Sequence, residues 1–386
     1  MFPPDFSPRS SRPPRGTTLE LPTSYRVPVT WLRTYASAPI RWRTVRDILP
    51  PGSATEADVQ ALKVEVAAHK TVALATRKQK KSGIWGDGIL GHGVIRSQSS
   101  KNVGTVSQYR FLVECGLSPD ERSLRLADRI LFRLLSRDED PTLLFEYTKS
   151  AKGSAETASW VRGVMRQAAT AALAQAGYVE DPRVRGAAHR TASEISQFLR
   201  SELAEKPFVR KGPRTVLAPG ASPPTTLAVA AFAYMPSLQR ERAGFIERLC
   251  AYLAKPTPKR TYVLQPDKRA LKPSYQLLGD PLAADSAGRP KDLPLALHWL
   301  ELLARMKMLQ SSPVAQRILT RLLADCDDRG VWNPGNLRGL PKGPTGVADF
   351  TLPLEPDGKT PESRQADVTF RLALIARVAG WSLQYV

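Results

Sequence analysis

Gln79-Lys-Lys-Ser-Gly-Ile-Trp85 fits the pattern Gln-x3-Gly-x-Trp, and Cys326-Asp-Asp-Arg-Gly-Val-Trp332 echoes it without the glutamine. In each stretch a polar helix end meets a glycine that permits a tight reversal, and a tryptophan follows that can fold back over the turn. Two such turns, in a chain made mostly of amphipathic segments, predict an all-α protein whose helical hairpins are tied to their neighbours. The turn residues are Gln79, Gly83, Trp85, Gly330 and Trp332.

Working outward, helix starts recur with one chemistry. Ser118-Pro119, Asp140-Pro141, Asp181-Pro182, Ser312-Pro313 and Thr360-Pro361 each set a capping side chain before a proline that has no N–H to lose. Ser118 with Glu121, and Ser53 with Glu56, also fit a capping box. The segments that follow are periodic: Leu124, Ala127, Leu131 and Leu134 form one stripe, and Val184, Ala188, Ile195 and Leu199 another. The pattern predicts helices at 28–38, 54–78, 104–115, 119–136, 141–148, 155–176, 182–200, 225–235, 238–253, 293–309, 313–325 and 361–379. The last is apolar on two faces and is expected to be buried on both sides. Short extended pieces are expected at Arg260–Leu264 and Gly91–Ile95, and long connections at 205–224 and 254–292.

Residues 1–25, rich in proline and arginine, read as a flexible arm preceding a single domain over 26–386. At 386 residues and 42% hydrophobic, the chain can bury a substantial core. No apolar run approaches the roughly 20 residues of a membrane span, and no secretory core opens the sequence. Cys115, Cys250 and Cys326 are odd in number and widely spaced, which argues against a disulfide framework and for a cytoplasmic location.

Charge is lopsided, with 56 Lys plus Arg against 36 Asp plus Glu, a formal +20. Such an excess suits an anionic partner, whether nucleic acid, phospholipid or an acidic protein, although it also describes an ordinary solvated surface. The densest cluster is Arg77, Lys78, Lys80 and Lys81, inside the first turn.

The turns and the recurring hairpins resemble the α/α-toroid superfamily, the terpenoid cyclases and protein prenyltransferase β subunits. Gly177-Tyr-Val-Glu-Asp-Pro182 is similar to the hairpin connection of those proteins, and the likeness spans residues 54 to 380. It implies rings of helices around an axial cavity that accepts an apolar, isoprenoid-like ligand. Asp325-Cys-Asp-Asp328 matches the D-x-D-D string with which one class of cyclase protonates an alkene, so Asp325, Asp327 and Asp328 are the catalytic candidates. Their setting differs: they end a helix and run into Arg329-Gly330, as acids of the turn would. The prenyltransferase zinc pattern does not fit, because Asp325 and Cys326 are adjacent and no histidine follows His298.

The remaining chemistry is sparse. His69, His92, His189 and His298 lack metal-ligand spacing, and phosphate loops, dinucleotide fingerprints and nucleophile elbows are absent. Asp280, Asp285, Asp349 and Glu355 are the acids available for a glycosidase-like pair. No cofactor is expected. The functional expectation is a non-catalytic interaction or ligand-binding scaffold. The alternatives are a basic scaffold for nucleic acid or another polyanion, and a cyclase-like enzyme acting on an isoprenoid.

Overall fold

The computed structural model describes residues 20–86, 88–90, 104–136, 154–268, 270–273, 275–335, 354–355 and 360–386. Among these residues the chain forms fourteen α-helices and two small two-stranded sheets. β1 (Ser24–Val27) leads into α1 (Val29–Tyr35), α2 (Ala38–Arg43) and a π-helical turn at Thr44–Ile48. Then come α3 (Glu56–Ala68), α4 (Lys70–Lys78), α5 (Thr105–Glu114), α6 (Arg122–Leu135), α7 (Ala155–Gln175) and α8 (Pro182–Arg200). A hairpin of β2 (Phe208–Lys211) and β3 (Arg214–Leu217) precedes α9 (Thr226–Ala233), α10 (Pro236–Glu241) and α11 (Ala243–Leu253). The remaining elements are α12 (Leu293–Arg305), α13 (Pro313–Ala324), α14 (Pro361–Ala379) and β4 (Ser382–Tyr385).

Three of the proline-following caps form. Asp181 accepts from the Arg183 N–H at 2.9 Å, Ser312 from Ala315 at 3.0 Å and Thr360 from Ser363 at 3.2 Å. The one at Ser118 does not. There the Glu121 N–H bonds to the Ser118 carbonyl in a separate turn, and α6 begins only at Arg122. The box expected at Ser53 and Glu56 lies two residues later: Thr55 takes the Asp58 N–H at 3.1 Å and Asp58 takes that of Thr55 at 3.2 Å. The helix expected at 54–78 breaks at His69, whose ψ of 131° is extended, and that at 238–253 is divided at Arg242. The connection at 205–224 carries the β2–β3 hairpin, and Val263 pairs with Val216 within the expected extended piece. Residue 20 onward is described, so β1 lies partly inside the expected arm; residues 1–19, Asp140-Pro141, the helix at 141–148 and Gly91–Ile95 with His92 lie outside the described residues.

Helices α5, α7, α9, α12 and α14 follow one another side by side, and α14 also packs on α1, α2 and β1. Every residue of α14 from Gln365 to Ala376 is buried, as its two apolar faces require, and so is α9 from Leu227 to Ala233.

Both glycine–tryptophan turns fasten one element to another. The Gln79 amide donates to the carbonyls of Gly83 at 3.0 Å and Ser123 at 2.8 Å, which holds the end of α4 against the start of α6. Gly83, at φ +92°, lies so close to α6 that a Cβ would sit 2.4 Å from the Leu126 carbonyl oxygen. In the second turn the Asp327 carboxylate does the work of the missing glutamine, accepting from the N–H groups of Arg329 at 3.0 Å and Val331 at 2.9 Å. Here Gly330, at φ +88°, presses on β1, where a Cβ would sit 2.2 Å from the Arg26 carbonyl oxygen. Tyr25 donates to the Gly330 carbonyl at 3.1 Å and Arg26 to that of Asp328 at 2.8 Å. Trp85 and Trp332 are both buried, and their main-chain N–H groups donate alike to a threonine hydroxyl, Thr105 of α5 and Thr369 of α14. β1 also pairs in parallel with β4, from Ser24 opposite Ser382 to Val27 opposite Tyr385.

Gly52 shares the left-handed conformation at φ +82° but has nothing within 4 Å of its Cβ position. Gly52→Ala is expected to cost about 1–2 kcal/mol, the backbone penalty alone, and Gly330→Ala at least twice as much in urea denaturation, since it adds collision with β1.

Candidate functional site

Where α2, α5, α12 and α14 converge, the structure places charge. Spacing of four residues sets Arg110 and Glu114 on one face of α5, and Glu301 and Arg305 on one face of α12. The Arg371 guanidinium of α14 forks between them, 2.8 Å from Glu114 Oε2 and 2.9 Å from Glu301 Oε2. Arg43, at the end of α2, donates to Glu114 and, at 2.6 Å, to Asp47 in the π turn. Arg305 closes on Glu301 at 2.8 Å, and Gln175 of α7 relays between Arg110 at 2.6 Å and Glu114 at 2.5 Å. The Tyr234 hydroxyl reaches Glu301 at 3.3 Å, and Arg305 lies 4.4 Å over its ring. Arg43, Arg371 and Glu114 are at most 4% exposed and Glu301 is fully buried.

Electrostatics hold these groups charged. Burial alone would push the Glu114 carboxyl up, but Arg371 and Arg43 beside it keep it far below the usual carboxylate range. Glu301 is likewise lowered against burial by Arg305 and Arg371, and Arg43 takes Asp47 down to about 2. His298, one turn before Glu301, is half-buried, and lost hydration together with the Arg110 charge lowers it to about 3, so it is neutral at pH 7.

The acidic string expected to supply a catalytic proton forms one end of the second turn. Asp325 pairs with Arg321 one turn earlier, Asp327 holds the turn, and Asp328 is exposed with its carbonyl bonded to Arg26. Asp280 accepts from Ser312 and from the Leu282 N–H at 2.8 Å, while Glu355 accepts from the Ser37 N–H at 2.6 Å. These two acids therefore serve separate structural contacts, and Asp349 lies outside the described residues. His189 sits between Glu241 and Arg242. Among the described residues no group of three His, Cys, Asp or Glu side chains is placed to hold a metal ion, and no helix is long and apolar enough to cross a membrane.

The basic cluster is exposed, and it does not stand alone. Arg77 lines an open cleft of 1050 Å³ together with Lys63, Arg46 and Arg122, over the buried Trp42. Lys63 and Arg46 lie 5.6 Å and 6.0 Å from the Trp42 ring centre. From Arg122, α6 carries an exposed row of Arg122, Arg125, Arg129 and Arg133. The only acid of that helix, Asp128, faces inward and accepts from Tyr109 at 2.6 Å and Tyr178 at 2.7 Å. The first turn of α6 has no acidic residue, so Arg122 and Arg125 stand against the preference of the helix dipole, whereas Arg133 in the last turn agrees with it. Reading the chain for density of charge missed the row. It was present as the complement of the stripe Leu124, Ala127, Leu131 and Leu134.

No family model, curated protein or solved structure matches this chain.

Removing the shared carboxylate should be severe. Glu114→Gln leaves Arg43 and Arg371 buried without their counter-charge and is expected to cost about 3–5 kcal/mol in denaturant unfolding. Acid should act through His298. Folded it stays neutral down to about pH 3, whereas unfolded it binds a proton near 6.5, so unfolding takes up a proton between these values and stability falls as pH is lowered through them. The expected loss from pH 7 to pH 5 is about 2 kcal/mol, and His298→Gln should remove most of that slope.

Proposed function

We propose that this chain is a non-catalytic, α/α-toroid-like scaffold that binds a polyanion, nucleic acid foremost, along the face formed by the first turn and α6. The architectural half of this reading is supported by the succession α5, α7, α9, α12 and α14, and by β1 pairing with β4. On the functional side, the observation that carries it is the continuity of Arg77, Lys78, Lys80 and Lys81 with the α6 arginine row. The Gln79–Ser123 hydrogen bond joins the two segments, and Arg77 and Arg122 line the same cleft. Four exposed cations of the first turn thereby adjoin four on α6. The α6 row alone spans about 16 Å at 1.5 Å per residue, long enough to meet several successive phosphates of a strand. Contacts of this kind release counterions and read charge, not base sequence.

Binding to a 30-base-pair duplex, measured by fluorescence anisotropy between 50 and 200 mM salt, should weaken steeply and with little sequence preference. Arg125→Glu with Arg129→Glu should reduce affinity at least tenfold and lower the slope of log affinity on log salt by about 2. Binding that ignores salt, or a reversal variant that binds as well as the parent, contradicts the proposal.

A further inference from the structure

A second cleft, of 820 Å³, opens between α7 and α8 beneath the loop that follows β3. Its cations are Arg162, Arg166, Arg183 and Arg190, and its one acid is Glu194. Arg183 is committed to Asp181 at 2.9 Å and to the face of Phe132 at 4.0 Å. Arg190 is exposed on the rim, and Arg166 is anchored by its Nε to the Leu134 carbonyl at 3.3 Å. Among its buried lining residues Val164, Ile195 and Leu264 are aliphatic, and Thr225 is polar. The cleft therefore brings guanidinium groups and hydrocarbon into one opening.

Two exposed glycines border the cleft. Gly163 lies in the interior of α7 and Gly186 in the interior of α8, and both line the cleft. A glycine inside a helix costs stability relative to alanine, and it is usually explained by a left-handed backbone or by an element pressed against it. Neither explanation holds here. Both have ordinary helical backbone, and a Cβ at either position would meet nothing within 4 Å. Two neighbouring helices thus forgo stability at the same opening, and what they gain is room.

We infer that this cleft binds a small phosphate ester with an apolar organic part, its phosphate held by Arg166 and Arg190 and its body laid on Val164, Ile195 and Leu264. Guanidinium groups offer paired N–H donors that match phosphate oxygens, and aliphatic lining side chains reward a ligand that brings hydrocarbon with it. The cleft adjoins the end of α6, whose Leu135 also lines it, but the inference does not depend on polyanion binding.

Isothermal titration with octyl phosphate, inorganic phosphate and adenosine monophosphate tests the assignment on the full chain. Octyl phosphate is expected to bind at least tenfold more tightly than either of the others. Arg190→Gln, at an exposed position that folding does not need, should weaken it about tenfold. Gly163→Ala with Gly186→Ala should raise the melting temperature while weakening octyl phosphate at least fivefold, a divergence that misfolding cannot produce. The assignment is overturned if octyl phosphate does not bind at millimolar concentration, if inorganic phosphate or the nucleotide binds as well, or if the alanine pair binds unchanged.

Discussion

Glu114 lies between two arginines that are 71 and 257 residues away along the chain, and much of the arrangement of helices follows from that meeting. A buried guanidinium is tolerable only where a carboxylate stands against it, so Arg43, Arg371, Glu114 and Glu301 constrain one another. Their hydrogen bonds require α2, α5, α12 and α14 to present particular faces at particular heights. Hydrocarbon side chains of the same volume could match the stability of such a cluster, but they would accept many registers. The network's role is in specificity: it states which helix face belongs to which.

The turns apply a second, more local constraint. Gly83 against α6 and Gly330 against β1 are close approaches that admit no side chain, and the tryptophan after each is sealed beneath the turn. Their likeness extends to the threonine hydroxyl that accepts from each tryptophan's main-chain N–H. The difference lies in what they hold. The first turn ties helices that are near in sequence, while the second reaches back to β1, which β4 also pairs. The earliest described strand is thus fixed by two late elements.

Much of this was legible in the sequence where the cause is local. Asp181, Ser312 and Thr360 cap their helices because an oxygen before a proline finds its N–H within one turn. Ser118 failed because the same short stretch could close a turn of its own, and Asp58, not Glu56, completed the first box. The break at His69 carries no glycine or proline to announce it. The charge network was hidden for a different reason. Arg110 with Glu114, and Glu301 with Arg305, have the spacing of ordinary surface pairs, and only the fold reveals that these faces turn inward. One sign was available: Glu301 lies within Leu300-Glu-Leu-Leu303 in a helix with few polar positions, and Arg371 within Phe370-Arg-Leu-Ala373. A charge that no helix rotation can carry to water must find its partner inside.

Native-state hydrogen exchange on an Arg371→Met variant tests the central claim, because methionine fills the space without carrying the charge. If the network joins the four elements, protection should fall together in α2, α5, α12 and α14, while α8 and α11 remain as in the parent chain. Loss confined to α14, with α2 and α5 still fully protected, would contradict it.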